Sequence, residues 1–327
     1  MRRPLVSVVM LSWNHEAYVS AAIESVLAQS EGDLELMVID DASSDASPAI
    51  IRSLEARDHR IEALFHAENL GIAKSVNEGL RAARGEYVAL FSSDDLWKPD
   101  KLERQMDVLK RAPGAVVWSE GMVIDRHGAP TGELFTQRFG PYGRRKKSGD
   151  IFDDLCRSNY IYGESLVTHR ENLAGISFDT SLKYLNDYKA NLALASRFPF
   201  RFIEEPLAMY RIHGENSILR DAQGWTRDQA LLWSRLHQDP AIAKRLTRAA
   251  EHGFLGLSSR GYAALGDRRR AWMMFGKAIW ARPTAAKNLF LLCIVVLSHF
   301  PSSYLAVKSA YRRTKRLLLA LFPVKRK

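Results

Sequence analysis

Three observations on this 327-residue chain predict an α/β fold: a mixed, mainly parallel sheet with its ligand beyond the strand ends, followed by a helical C-terminal region. Apolar runs recur at residues 6–11, 34–39 and 87–91. Each run ends in a polar turn: Ser12-Trp13-Asn14-His15-Glu16, then Asp40-Asp41-Ala42-Ser43-Ser44-Asp45, then Asp94-Asp95. Helix-like segments separate the runs. Nearly continuous apolar strands imply burial on both faces, and open sheets of this kind bind ligands outside the carboxyl ends of their strands.

The remaining elements follow in order. Residues 18–29 place Val19, Ile23, Val26 and Leu27 on one face, as an amphipathic helix requires. Ser47-Pro48 predicts a second helix through a serine cap and a first-turn proline, with Ile50, Ile51 and Leu54 turned inward. Residues 61–65 read as a strand. Asn69-Leu70-Gly71 leads into a helix through Val76 and Leu80 that stops at Arg84-Gly85, with glycine expected as a left-handed terminator. Pro99 opens a helix to about Arg111, and residues 115–119 return as a strand. Asp125-Arg126-His127-Gly128 predicts a hairpin turn. Residues 136–150, with Arg144-Arg145-Lys146-Lys147, read as a mobile loop able to cover the site.

Residues 150–158 and 187–197 read as helical, and 165–168, 200–203 and 207–210 as extended. Beyond about residue 225 the pattern is helical. Tyr262, Leu265-Gly266, Ala271, Phe275, Ala278 and Pro283 have the spacing of a single tetratricopeptide-like helical hairpin. The expected division is a catalytic domain over 1–220, a helical subdomain over 221–286 and a tail over 287–327.

Composition is that of an ordinary folded protein, with 46% apolar and 26% charged residues. Cys156 and Cys293 show no metal-ligand spacing, which suits a reducing compartment. The apolar stretch after Met1-Arg2-Arg3 is too short, and too soon interrupted, for a signal peptide, so it reads as the first strand.

Charge is distributed unevenly. Residues 268–327 hold 14 Lys and Arg and no Asp or Glu, while the first 267 residues hold 33 basic and 37 acidic groups. The basic tail therefore calls for an anionic partner. Residues 289–300 would be about 18 Å long as a helix, too short for a hydrocarbon core of about 30 Å. Lys308, Arg312, Arg313, Lys315 and Arg316 then alternate with apolar groups, as in a helix lying on an anionic membrane surface. Packing of this region on the protein body is the competing reading. Leucine clusters without the stacking aromatics and polar base readers of such a surface argue against nucleic acid as the partner.

The carboxylate pair carries the first chemical inference. Asp94 and Asp95 leave a buried run together, and like charges so close repel unless a cation is shared. Mg2+ or Mn2+, held by carboxylates and substrate phosphates, resolves that conflict.

Six segments, read together, carry a resemblance: VSVVMLSWNHEAYVSAAIESVLAQS, LELMVIDDASSD, NLGIAKSVNEGL, ARGEYVALFSSDDLWKPDKLE, LNDYKANLAL and EEPLAMYRIHGENS. In this order, over roughly residues 5–220, the chain resembles family 2 glycosyltransferases of the GT-A fold. The resemblance implies a nucleotide-diphospho-sugar donor; together with the basic tail it implies a saccharide or glycolipid acceptor and work in cell-envelope polysaccharide or lipopolysaccharide synthesis at the cytoplasmic face of a membrane. It implies a nucleotide-binding set of Ser12, Trp13, Asn14, Asp41, Lys74 and Asp94, with Asp41 reading the base. It also implies Asp95 as metal ligand assisted by His213, and Asp187 as general base.

Four positions depart from the family pattern: Leu11 for a proline, Ala42 for a glycine, Ser92 for an acidic residue and Asn186 for the glutamate before Asp187. Ser92 removes one possible metal ligand and leaves weaker or water-rich metal binding open. An ionised aspartate can accept the proton of an attacking hydroxyl, and one carboxylate opposite the leaving group predicts inversion. A nucleotidyltransferase would want a glycine- and lysine-rich triphosphate loop near the first strand, and none is present. A non-catalytic nucleotide-sugar or saccharide binding protein is the third reading.

Overall fold

The computed structural model describes residues 3–139, 147–214, 221–284 and 287–297. The chain divides into two units, Met1–Arg220 and Asp221–Lys327.

The first unit is built on a nine-stranded sheet. Strands β1 (Val6–Ser12), β2 (Leu34–Asp40), β3 (Ile61–Phe65) and β4 (Tyr87–Ser92) lie in the order β3-β2-β1-β4, all parallel. Side chains alternate across this sheet. Val8 and Met10 face a layer containing Ile23 and Val26 of α1 (Val19–Leu27), Ile51 of α2 (Ser47–Glu55) and Leu102 and Met106 of α4 (Lys101–Arg111). Val9, Ile39 and Val88 face the other way, beside Leu80 of α3 (Ile72–Ala82) and Ala83. Burial on both faces explains why these strands are nearly all apolar.

Register decides where the site lies. Ser12 pairs with Asp40, and Leu11 with Ser92, so the polar ends of β1, β2 and β4 stand side by side.

Beyond β4 the sheet becomes mixed. β8 (Val167–His169) is antiparallel to β4 and to β6 (Val116–Ile124), which runs parallel to β9 (Phe200–Arg211). The short β5 (Leu96–Trp97) closes the path antiparallel to β9, and β7 (Pro130–Leu134) forms the hairpin with β6. At its turn, Asp125 Oδ1 accepts the N–H groups of His127 and Ala129 at 2.8 and 2.9 Å, and Gly128 takes φ +89°.

Several elements differ from expectation for identifiable reasons. The two extended segments at 200–210 are one strand. Pro206, which cannot donate to the ladder, falls at a register shift opposite Glu120 and leaves β9 continuous. Gly85 does not terminate α3 through a left-handed φ. Instead, a Cβ there would lie 2.4 Å from the Ser7 backbone nitrogen, so the glycine permits close approach to β1. Ser47 is not the cap of α2 but its first residue, and its hydroxyl accepts the His15 N–H at 3.0 Å. Within 150–158 only α6 (Phe152–Leu155) is helical. The loop expected at 136–150 begins inside α5 (Phe135–Phe139), and its centre, 140–146 with Arg144-Arg145-Lys146, lies outside the described residues.

The second unit is helical. Helices Arg248–Ala264 and Arg268–Ala281 form the expected hairpin, with Gly266 at φ +77° in the turn and Asp267 accepting the Arg270 N–H at 3.0 Å. Helix Ala222–Arg235 adds Ala230 to their core. Helix Lys287–Leu297 packs Leu291, Ile294 and Val295 into the same cluster, so the first part of the expected tail belongs to this core. Residues 298–327 lie outside the described residues. Among the described residues no helix is long and apolar enough to cross a membrane.

Candidate functional site

The turns after β1, β2 and β4 hold one another in place. Asn14, at φ +54°, donates its N–H to Ser43 Oγ at 2.8 Å and accepts the Ser44 N–H at 2.8 Å. Asp40 turns back onto Ser43, accepting its N–H at 2.9 Å and its hydroxyl at 2.7 Å. Ser12 is buried beneath this turn, its hydroxyl without a hydrogen-bond partner. Trp13, by contrast, is 48% exposed. An indole so exposed beside a strand end offers a flat apolar face to a ligand.

Asp41 is buried and already engaged. Its carboxylate accepts the N–H groups of Leu70 and Gly71, each at 2.8 Å, and lies 2.8 Å from His66 Nδ1. It thereby fixes the loop that opens α3. The His66 ring reaches Glu78 on its other side at 2.9 Å. Burial works to lower the His66 pKa, but its two carboxylate partners outweigh burial and raise it. Ala42 follows at φ +60°, a conformation that the glycine common in the family adopts without strain. Lys74 is exposed on the first turn of α3.

The two adjacent aspartates part company. Asp94 accepts from the Ser92 hydroxyl and lies 3.0 Å from His213 Nε2, with His15 Nε2 4.0 Å away. Burial would raise its pKa, but the His213 hydrogen bond, the charge of His15 and the Ser92 hydroxyl bring it down to about 2. Asp95 turns inward and is 2% exposed. It accepts the Tyr162 hydroxyl and the Arg211 N–H, both at 2.8 Å. Burial and then the neighbouring charges of Asp94 and Glu164 push it well above the usual carboxylate range. Thus the structure brings Asp94, rather than Asp95, together with His213.

β9 delivers the histidine. Arg211, at the end of that strand, donates from Nε to the Asp94 carbonyl at 2.6 Å, and its guanidinium lies 4.8 Å from the Tyr18 ring centroid. Tyr18 and His15 pack against the His213 ring, with centroids 5.1 and 5.6 Å away. His15 Nδ1 is in turn 2.8 Å from Ser93 Oγ, which leaves Nε2 to face Asp94.

One donor atom each from His15, Asp94 and His213 lies within 4.8 Å of the others. Two imidazoles and a carboxylate suit a divalent transition ion such as Mn2+ better than Mg2+, which prefers oxygen ligands. The residues present therefore fit a divalent cation, with the remaining positions open to phosphate or water.

Asp187 lies in the first turn of α7 (Asn186–Ala195). The cap position is Leu185, which makes no capping bond, and the Asp187 carboxylate itself meets the Tyr188 N–H in the first turn. Its carboxylate has a long contact of 3.5 Å with Asn159 Nδ2. Burial raises its pKa to about 6, against the lowering effect of the Tyr188 N–H and Asn159. Asn186 points inward, 3% exposed, with its amide 3.4 Å from the Leu182 carbonyl.

Four residues at this centre escaped the sequence reading: His15, Tyr18, Arg211 and Glu164. Position alone could have found His15, since it sits in the polar turn after β1. Glu164 carries no local signal. Its Oε2 is buried without a hydrogen-bond partner. Burial, followed by the charges of Asp94 and Asp187, raises it to about 8, with Lys101 acting in the opposite direction. Glu164 thus feels the charge of both aspartates. Arg170, whose N–H bonds the Glu86 carbonyl at 2.9 Å, belongs to the opposite end of β4.

Comparison with known proteins places the chain in a family. The glycosyl transferase family 2 profile matches residues 7–162. An uncharacterized glycosyltransferase of Nostoc sp. is 31% identical over 232 residues, spanning 69% of this chain and 70% of the relative. A Bacillus subtilis protein named "Putative teichuronic acid biosynthesis glycosyltransferase TuaG" is 29% identical over 211 residues, 64% of this chain and 80% of that protein. Among solved structures, S. aureus TarS 1–349 in complex with UDP superposes with a TM-score of 0.66 at 16% identity, covering 95% of this chain and 92% of that one. Mannosyltransferase PcManGT from Pyrobaculum calidifontis, in complex with GDP-Man and Mn2+, gives a TM-score of 0.50 at 18% identity, covering 92% of this chain and 88% of that one. With its GT-A type sheet, its matched family profile and a relative aligned over more than two thirds of both chains, this protein belongs to glycosyltransferase family 2 and is a glycosyltransferase.

Proposed function

We propose that the chain transfers a sugar, with inversion, from a nucleotide-diphosphate donor to a hydroxyl of a saccharide or glycolipid acceptor in cell-envelope polysaccharide synthesis. The observation that carries this reading is the convergence of His15, Asp94 and His213 at the strand ends, and the buried Asp187 supports it as the candidate base. The nucleotides in the TarS and PcManGT complexes, and the Mn2+ in the latter, support a nucleotide-sugar donor and a divalent ion. TuaG supports an envelope polysaccharide as the class of product.

His15, Asp94 and His213 would hold a divalent cation, which would supply Lewis-acid neutralisation of the diphosphate leaving group. Trp13, with the turn that Ser12 and Asn14 form, packs against the nucleotide. Asp41 shapes the base pocket by fixing Leu70 and Gly71, and Lys74, exposed on the first turn of the helix that follows, meets phosphate. Asp95 holds the Asp94 turn to β9 through the Arg211 N–H, a positioning role in place of direct metal ligation. Asp187 takes the proton from the acceptor hydroxyl as that oxygen attacks the anomeric carbon. With one base opposite the leaving group, a single displacement inverts the centre. The enzyme works at the cytoplasmic face of the membrane, with residues 298–327 as a basic attachment to anionic lipid.

Thermal unfolding with UDP, GDP, CMP and dTDP, each with and without Mn2+, tests the reading. Nucleotide at about 100 times its Kd stabilises a protein by about 2.7 kcal/mol, a rise of roughly 5 to 10 °C in Tm for a folding unit the size of Met1–Arg220. One nucleotide should give that rise only with Mn2+, and Asp94→Ala should abolish it. No shift with any nucleotide, or an undiminished shift in Asp94→Ala, would overturn the assignment.

A further inference from the structure

The helix Arg268–Ala281 has its ordinary inner face: Ala271, Met274, Phe275, Ala278 and Ala281 are buried in the second unit. Its outer face is not ordinary. A solvated helix face is polar, yet this one presents Trp272, Met273 and Trp280 at 38%, 50% and 84% exposure. Trp272, Gly276 and Trp280 succeed one another at intervals of four residues, so they form one stripe, with Met273 at its side. Trp280 is the more telling member, because an indole left almost wholly in water forfeits the burial that large aromatics usually obtain.

The charges beside the stripe have one sign. Arg269 lies on the outer face and Lys277 at its border, both exposed, and from residue 268 to the last residue there is no Asp or Glu. Arg270 is already taken, its guanidinium 3.4 Å from Asp267 and over the Tyr262 ring. Exposed Trp and Met with basic groups alongside is the pattern of a helix that lies in a lipid interface, indole at the headgroup level and cation at the phosphates.

Charge complementarity decides the occupant. A second copy of this face would set Arg269 and Lys277 against their own kind. The chain's residues 298–327 carry eight Lys and Arg and no acidic group, so they are repelled as well. Single-stranded nucleic acid has the right sign, but the stripe holds Met273 and Gly276 where polar base readers would stand. An anionic bilayer satisfies both the apolar stripe and the charge.

We propose that the outer face of the helix Arg268–Ala281 docks on an anionic phospholipid bilayer, with Trp272, Met273 and Trp280 entering the headgroup boundary and Arg269 and Lys277 at lipid phosphates. This attachment is separate from the sugar-transfer reading and from any contact made by residues 298–327.

The test uses the full chain and vesicles of phosphatidylcholine with or without phosphatidylglycerol. Binding should require phosphatidylglycerol, and Arg269→Gln with Lys277→Gln should weaken partitioning roughly 25-fold, about fivefold for each basic group. Met273→Glu with Trp280→Glu should weaken it further. Because residues 298–327 could bind vesicles by themselves, a reading local to the helix is needed. Brominated phosphatidylglycerol should quench tryptophan emission in the full chain, and the quenched fraction should fall in Trp280→Phe, a substitution at an exposed site that spares the fold. Quenching unchanged in Trp280→Phe would overturn the proposal, as would binding unaffected by the double glutamate variant. Absence of vesicle binding would overturn it too, including the case where sedimentation velocity shows a dimer, or polynucleotide binding appears, that Trp280→Glu abolishes.

Discussion

His213 Nε2 lies 3.0 Å from Asp94 Oδ2, although 119 positions separate the two residues in the chain. The pair forms because the end of β9 is tied to the turn after β4 through Arg211, which bonds the Asp94 carbonyl and the Asp95 carboxylate at once. With His15 added from the turn after β1, three distant segments meet at one point.

Removing either partner should therefore remove the cation. His213→Ala and Asp94→Asn are each expected to lower kcat/KM by about 100-fold or more, the scale for losing one stabiliser of transition-state charge. Both should also lose the Mn2+-dependent part of nucleotide binding, measured by calorimetry with and without the metal.

The proposed base, Asp187, can take a proton only when ionised, and burial raises its pKa to about 6. The rate should fall on the acid side with a midpoint near that value, and Asp187→Asn should lower kcat by about 100 to 10,000-fold. The same group bears on stability. A folded pKa raised above the unfolded value of 3.8 means that the folded state binds more protons between the two, so stability declines as pH rises through that window. Asp187→Asn should thus be more stable than the parent at pH 8 by roughly 1–3 kcal/mol, and equal to it near pH 3. Urea unfolding at the two pH values measures the difference.

His66 acts in the same sense at a higher pH. Its pKa is raised by Asp41 and Glu78 despite burial, so its contribution to stability is present in full below the unfolded value of 6.5 and is lost as pH rises through the folded one. His66→Gln should remove this alkaline decline. Asp41→Ala should cost about 2–3 kcal/mol, because the N–H groups of Leu70 and Gly71 lose a charged acceptor.

Gly85→Ala tests the contact between the turn before β4 and the backbone of β1. A methyl group would meet the Ser7 nitrogen at 2.4 Å and its hydroxyl at 2.7 Å. The expected loss is about 1–3 kcal/mol or more in chemical denaturation, as for other overpacked sites. Replacement at Gly114, where a Cβ meets nothing within 4 Å, serves as the control.

Much of the first unit can be read directly from the chain. Three apolar runs ending in polar turns, with amphipathic segments between them, are enough to specify β1, β2 and β4, the helices over them and the end of the sheet that carries the site. The physics is local: burial on both faces demands continuous apolar strands, and only the turns can afford polar groups. The hairpin Arg248–Ala264 with Arg268–Ala281 is legible for the same reason, through small and aromatic residues at helical spacing.

What the chain alone left open was settled by contacts between distant segments. Nothing local distinguishes Asp94 from Asp95, since adjacent residues leaving a strand point different ways and only their neighbours define which way is the site. Packing against β9 turns Asp95 toward Tyr162 and the Arg211 N–H, and leaves Asp94 facing His15 and His213. Glu164 likewise becomes notable only when the fold buries it near two other carboxylates. Sequence patterning determined the strands and the end where they place their ligand. Tertiary structure determined which side chains meet there, because charge and desolvation act through space between groups that the chain holds far apart.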